Sequence, residues 1–310
     1  MLGLGLAPGA AAAKAWWPAG AVYAADFING RYMRNGNAIS AGEAFSFARA
    51  SGRWAVDSTG FWRYFAPDVP AITDLGLSLE PAGTNLVPNP ALTGAVAGVV
   101  GSGGSLPTGW STNGAGLSVE VVAVTTLNGL PALHVRVSGT ATGTFFELSV
   151  MPDTPINPNT NYAASIFLRS LAGPQPSVEL RQADAGSGFV TANVLATGLP
   201  ALDRRANYLT TAASTAFGRM RMSQVLSTGS VYNFSILVSS PQLELGSSVL
   251  SPRGSEGPAD NASVALPSGN HTVYLEHGSG AIQAAGIAGS YAVPAAQLPT
   301  PVRRIWSILQ

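Results

Sequence analysis

The sequence predicts an all-β protein with a small N-terminal β module, a central jelly-roll β-sandwich and a small C-terminal β unit. Glycine and proline, with 36 and 22 residues, make up close to a fifth of the 310 positions. Charged residues contribute 10%, well below the roughly 25% of an average globular protein. Many short stretches alternate apolar and polar residues, and turn residues separate them. These three observations favour many short strands over helices.

The composition also excludes several classes of protein. The 16 basic and 16 acidic residues balance, so the chain has no extended basic surface for a phosphate backbone, and we expect no nucleic-acid partner. Cysteine is absent, which excludes disulfides and thiolate metal sites. No apolar run approaches the roughly eighteen residues that cross a bilayer, so we expect no membrane insertion.

Residues 1–25 are predicted to form an extended N-terminal arm that docks on another protein. Its only large side chains are those of Trp16, Trp17 and Tyr23, set among small residues. Two adjacent tryptophans cannot both face one side of a strand, so one is expected to enter a neighbouring subunit. In the alternative interpretation both cover the core of the first domain. The stretch lacks an early positive charge and is interrupted by glycine and proline, so we expect no signal-peptide cleavage.

Residues 26–84 are predicted to form a small β module that serves for attachment. Within it, RWAVDSTGFWRYF is typical of two strands joined by a short turn. Trp54 and Val56 alternate on the first strand, and four aromatic residues crowd the second: Phe61, Trp62, Tyr64 and Phe65. A module of this size has a thin core, so the surplus of aromatic residues predicts burial by other subunits and a homo-oligomer, with a trimer as the default.

Residues 85–252 are predicted to form the jelly roll, and residues 253–310 the C-terminal β unit. The central region contains longer alternating stretches, among them ALHVRVSG, TFFELSVM, YAASIFLRS and SVELRQAD. Turn residues interrupt them every eight to fifteen positions, as in a β-sandwich. The last segment has few large hydrophobic residues and would be marginal alone. We expect it to pack on the other domains or on other subunits.

Short sequence pieces occur in a fixed order through the second segment. They are Asp26-Phe27, Phe47 with Arg49-Ala50-Ser51, Ala66 with Val69-Pro70, Gly76-Leu77 with Glu80-Pro81, and Thr84-Asn85-Leu86. In this order they resemble a module of tailed-bacteriophage fibre, head-spike and tail-tip proteins. The resemblance implies a structural component of the virion, made in the host cytoplasm and anchored to other virion proteins by its N-terminal region.

A second set of pieces covers roughly half of the chain. It comprises Asn85-Leu86-Val87-Pro88-Asn89-Pro90, Pro107 with Gly109-Trp110, Tyr162-Ala163-Ala164-Ser165, and Pro241-Gln242-Leu243-Glu244. This set resembles the carbohydrate-binding jelly rolls of bacterial glycosidases and phage fibres, which implies contact with host-surface polysaccharide. In such jelly rolls a structural calcium often joins the first and last strands. Glu244 is the matching acidic position, but the opening NLVPNPAL lacks an acidic mate, so no cofactor is expected beyond this one option.

Sugar binding requires an exposed aromatic face and a few polar groups for the hydroxyls. The candidate glycan-binding residues are Trp110, Asn113, Tyr162, Gln182, Tyr208 and Tyr232. Trp110 and Tyr162 lie where the jelly-roll resemblance has a packing aromatic residue. For these two we therefore favour a place in the core over sugar contact.

The sequence offers no recognisable catalytic constellation, and we expect no enzymatic activity. It lacks the H-E-x-x-H motif, the P-loop and a G-x-G-x-x-G stretch that opens a helix. Paired carboxylates cleave glycosidic bonds, and the candidates for such a pair are Asp153, Glu179, Asp184, Asp203 and Glu244. Nothing in the sequence brings two of them together. Two alternatives stay open: a secreted bacterial glycan-binding module or adhesin, and a glycan depolymerase.

Overall fold

The computed structural model describes residues 15–196, 203–254 and 256–310. Strands dominate this part of the chain, which confirms the all-β prediction. Besides the strands it contains the short helix α1, Ala41–Ala44, and a 3₁₀ turn, Ala295–Gln297. None of the helices in these residues is long and apolar enough to span a membrane.

The strands follow one another in this order: β1 Ala21–Asp26, β2 Arg31–Arg34, β3 Asn37–Ile39, β4 Phe45–Ala48, β5 Arg53–Val56, β6 Trp62–Phe65, β7 Ile72–Thr73, β8 Gly76–Leu77, β9 Gly83–Thr84, β10 Gly98–Val100, β11 Gly103–Gly104, β12 Ser111–Asn113, β13 Ser118–Leu127, β14 Leu130–Thr140, β15 Phe145–Pro155, β16 Asn161–Ala172, β17 Ser177–Ala183, β18 Phe189–Ala196, β19 Asp203–Thr210, β20 Phe217–Val225, β21 Val231–Leu245, β22 Glu256–Gly257, β23 Asn261–His277, β24 Gly280–Ala292 and β25 Val302–Leu309.

Contacts divide the chain into two compact units whose segments interleave. The terminal unit holds the described residues up to Ser46 together with Asp74–Leu77 and Ala262–Gln310. The sandwich unit holds Phe47–Thr73 and Ser78–Asn261. The domain boundaries after residues 25, 84 and 252 stay predictions. The division by contacts does not follow them, because the first and last strands of the chain pair with each other.

The terminal unit is built on an antiparallel sheet with the strand order β24-β23-β25-β1-β2-β3. The last strand of the chain, β25, lies between β23 and β1, and Ala24 is opposite Trp306. Tyr23 and Ile305 are fully buried. The C-terminal segment therefore gains the hydrophobic surface that it lacks alone by pairing with the N-terminal strands.

The sandwich unit consists of two sheets that enclose one core. The seven-stranded sheet has the order β11-β10-β13-β14-β21-β16-β19, and the five-stranded sheet has the order β12-β15-β20-β17-β18. Alternate residues of each strand point inward, and the rings of Phe146 and Phe234 meet edge to face at 5.5 Å between the sheets. Val135, Leu148 and Ile236 are fully buried in the same core. The two sheets thus form a β-sandwich around one hydrophobic core.

The aromatic hairpin predicted near residue 60 is confirmed as the antiparallel pair of β5 and β6, with Trp54 opposite Tyr64. The turn is held by Asp57, whose Oδ1 accepts hydrogen bonds from the backbone N–H groups of Thr59 and Phe61 at 3.0 Å each. Trp62 contacts Phe167 of β16 edge to face at 5.8 Å. This contact fixes the hairpin on the outer side of the seven-stranded sheet.

Candidate functional site

An open groove of about 400 Å³ lies beside the β5–β6 hairpin. We call it the aromatic groove, and its principal lining residues are Trp54, Tyr64, Pro90, Pro131, Ser240 and Arg253. Its volume is in the range of small-molecule sites, and so is its mixture of aromatic, apolar and hydroxyl groups.

Two aromatic rings form one wall of the aromatic groove. Trp54 and Tyr64 are cross-strand neighbours, and their ring centroids lie 5.4 Å apart at an angle of 61°. Trp54 is half-buried, whereas Tyr64 is 58% exposed. An exposed ring that is supported by a second ring offers a pre-organised face for the apolar side of a sugar.

Gly52 sets the position of the Tyr64 ring. A Cβ atom added at Gly52 would lie 1.8 Å from the Tyr64 hydroxyl oxygen and 2.3 Å from the ring carbon that carries it. The phenol therefore lies directly against the Gly52 backbone. Any larger residue at position 52 must push the ring away from the groove wall.

The lining of the aromatic groove also contains a strained backbone position. Ser240 has φ of +45° within β21, a left-handed conformation that costs a non-glycine residue free energy and often marks a functional site. The Ser240 hydroxyl lies 3.1 Å from that of Ser239. The carbonyl of the next residue, Pro241, accepts a hydrogen bond from the Asn85 side chain at 3.1 Å, so this irregular turn is held in place from behind.

A buried ionic network lies behind the groove. We call it the arginine cluster: Arg49, Arg53, Glu80, Arg253 and Asp260. The Arg49 Nη1 lies 3.3 Å from the Asp260 Oδ1, and the Arg53 Nη1 pairs with the other Asp260 oxygen. The Glu80 Oε1 lies 3.1 Å from the Arg53 Nη2, and the Glu80 Oε2 forms an ion pair with the Arg253 Nη2.

Burial controls the electrostatics of the arginine cluster. It lowers the pKa of Arg53 to about 10, because few waters reach the guanidinium, while Glu80 acts in the opposite direction. Burial also lowers the pKa of Arg49. Both arginines stay charged at neutral pH, and their charges are neutralised within the cluster.

The cluster gathers residues from the phage-like sequence pieces. Arg49, from the F-x-R-A-S piece, donates through its Nη2 to the carbonyls of Ala66 and Val69 at 2.9 and 3.0 Å. Those two residues belong to the A-x-x-V-P piece, and Glu80 belongs to G-L-x-x-E-P. The pattern therefore encodes a structural junction rather than an exposed site. Sequence reasoning missed Trp54 as a groove residue, although its alternation with Val56 was visible.

The start and the end of the sandwich meet at Asn85 and Glu244, which form an isolated antiparallel bridge. Asn85 belongs to the T-N-L piece, and its side-chain oxygen accepts from the N–H groups of Val87 and Leu243. One Glu244 oxygen accepts from the Leu250 N–H at 3.2 Å, and the other lies 3.4 Å from the Arg253 Nε. Burial raises the pKa of Glu244.

These surroundings do not fit a calcium ion. Arg253 supplies the positive charge beside Glu244, and a cation of the Ca²⁺ type needs six to eight oxygen ligands. Among the described residues, no group of three or more aspartate, glutamate or histidine side chains is placed to hold a metal. We therefore assign no metal to Glu244.

Three of the six predicted glycan-binding residues are buried and are removed from the candidate set. Trp110 and Tyr162 belong to the sandwich core, with 7% and 3% of their surfaces exposed. Gln182 is 1% exposed; its oxygen accepts from the Ala212 N–H and the Thr215 hydroxyl, and its nitrogen donates to Asn193. Strand register turns Tyr162 in β16 and Gln182 in β17 inward, whereas Trp110 precedes β12 and packs into the core from the end of that strand.

The other three candidates do not form one site. Tyr232 packs half-buried against the core, and its hydroxyl accepts from the Ser227 N–H at 2.8 Å. Tyr208 is 58% exposed on β19, at the edge of the seven-stranded sheet. Asn113 is exposed on β12, at the edge of the five-stranded sheet. Tyr208 and Asn113 therefore belong to different sheets.

The predicted docking residues differ in burial. Tyr23 is fully buried and its hydroxyl donates to the Ala44 carbonyl at 2.9 Å, so we remove it from the docking set. Trp16 and Trp17 are half-buried and contact each other edge to face at 5.4 Å. The Arg31 guanidinium lies 5.1 Å from the Trp16 ring. Docking by these two tryptophans stays a prediction, and the first fourteen residues of the arm lie outside the described residues.

The candidate catalytic carboxylates have structural partners. An outer ladder of charges crosses the five-stranded sheet: Glu147, Asp153, Glu179, Arg219 and Arg221. Both Asp153 oxygens accept from Arg219, at 3.0 and 2.7 Å, and Glu179 accepts from Arg221 at 2.6 Å. Asp184 closes a turn by accepting from the Gly186 and Gly188 N–H groups. The side chain of Asp203 lies outside the described residues.

Comparisons with known proteins give fold likenesses at low identity. No protein-family model matches the chain, and no curated protein matches it. A CBM4 structure matches with 10% identity and a TM-score of 0.33, over 44% of this chain and 86% of the other. The N-terminal cellulose-binding domain of Cellulomonas fimi β-1,4-glucanase C matches with 17% identity and a TM-score of 0.32, over 46% and 91%.

The enzymatically active domain of bacteriophage CBA120 tailspike protein 4 matches with 9% identity and a TM-score of 0.30, over 45% of this chain and 20% of the other. Because these TM-scores are low, we draw no conclusion about function from them.

Proposed function

We propose that this protein is a non-enzymatic structural component of a phage virion and that its sandwich unit contacts host-surface glycan. The observation that carries the glycan role is the aromatic groove, where Trp54 and the exposed Tyr64 line a space of about 400 Å³. An exposed aromatic ring supported by a second ring, in a groove of this size, is the chemistry that recognises a sugar ring.

The ordered phage-like sequence pieces support the virion assignment. Arg49, Glu80 and Asn85 come from different pieces, and each makes buried hydrogen bonds or ion pairs inside the sandwich unit. Such a junction ties the hairpin to the sandwich as one building block. In this proposal Trp16 and Trp17 attach the protein to other virion proteins, and the protein is a homotrimer.

The partners of the carboxylates support a binding role over glycan cleavage. A glycosidase needs one carboxyl group free to donate a proton and a second one at a set distance. Asp153 and Glu179 are each engaged by an arginine. This arrangement suits a structural role better than proton transfer.

Binding of the labelled full-length protein to intact host cells tests the glycan role, with and without competing host polysaccharide. Tyr64→Ala should weaken binding about tenfold, which corresponds to about 1.4 kcal/mol, and Trp54→Ala should weaken it at least as much. Tyr208→Ala is the matched control, because Tyr208 and Tyr64 are both 58% exposed and Tyr208 does not line the groove.

Two results would overturn the glycan role: a folded protein that does not bind saturably, or equal binding by the Tyr64→Ala and Tyr208→Ala variants. Shortening of the polysaccharide during the incubation would overturn the non-enzymatic assignment. Antibody labelling of purified particles tests the virion role, and particles that lack the protein would contradict it.

A further inference from the structure

A second cavity lies on the other side of Ser51 from the aromatic groove. Its volume is about 450 Å³, and it is lined by Ala50, Ser51, Ala82, Gly83, Thr84, Gly257 and Pro258. These side chains are small, so much of the cavity surface is backbone. We call it the glycine cavity.

The two spaces share a boundary. A gap of about 10 Å³ inside the arginine cluster shares Ser51, Gly257 and Pro258 with the lining of the glycine cavity, and it shares Ser51, Gly52 and Arg253 with that of the aromatic groove. The gap is no larger than one water molecule. A ligand that passes from one space to the other must therefore cross over Ser51 rather than through the protein.

Two glycines shape the boundary on the side of the glycine cavity. A Cβ atom at Gly257 would lie 2.4 Å from the Arg253 Nη1, and one at Gly83 would lie 2.9 Å from the same atom. The backbone therefore reaches the guanidinium on both sides. The Arg253 side chain is 8% exposed, so it is buried beneath these two glycines and does not line the glycine cavity.

The described lining of both spaces offers no unpaired charge. No ionisable side chain is found among the described residues that line the glycine cavity. Arg253 is the charged residue of the aromatic groove, and it is ion-paired with Glu80 and Glu244. A charged ligand group would lose water here without gaining a partner, which disfavours it.

We infer that the ligand of this protein is a neutral oligosaccharide that lies in the aromatic groove and continues over Ser51 into the glycine cavity. This inference rests on the proposed glycan role and names the class of glycan. Each space is the size of a small-molecule pocket, so a single sugar unit fills only part of the combined site.

Size-fractionated fragments of the host polysaccharide test the inference. Fragments of one to eight sugar units are separated into neutral and acidic pools and titrated calorimetrically against the full-length protein. Affinity should rise with length in the neutral pool and then level off. It should change little between low and high ionic strength, since no free charge takes part.

Thr84→Trp fills the glycine cavity and should weaken binding of the longest fragments about tenfold while leaving the shortest fragments unaffected. Thr140→Trp is the matched control, because Thr140 is also an exposed threonine in a strand of the sandwich unit. Gly52→Ala moves the Tyr64 ring without removing it and should weaken binding of all fragments.

Affinity that is independent of length, a preference for the acidic pool, or equal binding by the Thr84→Trp and Thr140→Trp variants would overturn the inference. If Trp54→Ala still weakens binding in that case, the proposed glycan role survives and only the extended neutral site fails. If Trp54→Ala has no effect on any fragment, the proposed role fails as well.

Discussion

Two arginine–carboxylate networks in the sandwich unit share their chemistry and differ in burial. In the arginine cluster, the side chains of Arg53 and Asp260 are 5% and 2% exposed. In the outer ladder, those of Arg219 and Asp153 are 30% and 28% exposed. The first network is shielded from water and the second remains in contact with it. The comparison shows that burial decides the role of an arginine–carboxylate pair. A buried pair is part of the interior packing, whereas an exposed pair is a solvated surface contact.

The pKa values of the arginines reflect this difference. Burial lowers the pKa of Arg53 to about 10. The hydrogen bond from Arg219 to Asp153 instead raises the pKa of Arg219, because desolvation is the smaller effect there. Burial thus destabilises the charged form of Arg53 in the arginine cluster. In the outer ladder, Asp153 stabilises the charged form of Arg219.

The largest expected effect is that of Asp260→Asn in the arginine cluster. Asp260 accepts from Arg49, Arg53 and the Glu80 N–H. The substitution would leave the buried guanidinium of Arg49 without a carboxylate partner and that of Arg53 with Glu80 alone, and it should lower the free energy of unfolding by about 3–5 kcal/mol. Urea unfolding measures the change. If the free energy of unfolding fell by less than about 1 kcal/mol, the arginine cluster would contribute no more than ordinary surface pairs do. The two networks would then not differ in their effect on stability.

An intermediate case is Asp57, which pairs with Arg63 at 3.0 Å in the hairpin. The Thr59 hydroxyl, with the Phe61 N–H and Arg63, lowers the pKa of Asp57 from 3.8 to about 2. A folded-state pKa below the unfolded one means that the stabilisation is complete above pH 3.8 and is lost as the pH falls through 2.

Tryptophan fluorescence of the hairpin, recorded across this acid range, should therefore change in the wild type. In Asp57→Asn, which has no carboxyl group to titrate at this position, that transition should be absent. An identical acid transition in both proteins would show that another group controls the hairpin.

The smallest expected effect is that of Asp153→Asn in the outer ladder. Arg219 keeps Glu147 as a partner at 3.1 Å, and water reaches both side chains. The free energy of unfolding should fall by about 0–1 kcal/mol, and added salt should reduce even this loss. A double-mutant cycle with Arg219→Met measures the pair directly. A coupling as large as the loss in Asp260→Asn would mean that exposure does not separate the two networks.

The strand pattern of the hairpin could be predicted from sequence, but its buried face could not. Trp54 and Val56 alternate with Arg53 and Ala55, and this alternation is enough to predict a strand. By hydropathy the core side would be that of Trp54 and Val56. The structure buries Arg53 and Ala55 instead, because Asp260 and Glu80 neutralise the guanidinium there.

The candidate glycan residues illustrate the same division. The stretch around Tyr162 correctly predicts a strand of the sandwich, and the preference for core packing at Trp110 and Tyr162 agrees with their burial. The aromatic groove could not be predicted from the sequence, because Trp54 and Ser240 lie far apart in the chain and line one space only in the folded protein.

By itself, then, the sequence determined what depends on neighbours along the chain: the all-β class, the β5–β6 hairpin and its turn, and the absence of disulfides. Only the tertiary structure decided which charges are buried and which rings are exposed. Arg53 and Asp260 are separated by 207 positions, and no local sequence pattern predicts that they form a pair. Strand alternation arises from backbone geometry and repeats every two residues, so it can be seen in the sequence. An ion pair or a binding groove depends on distances between residues that are far apart in the chain, and these distances are set only when the chain folds.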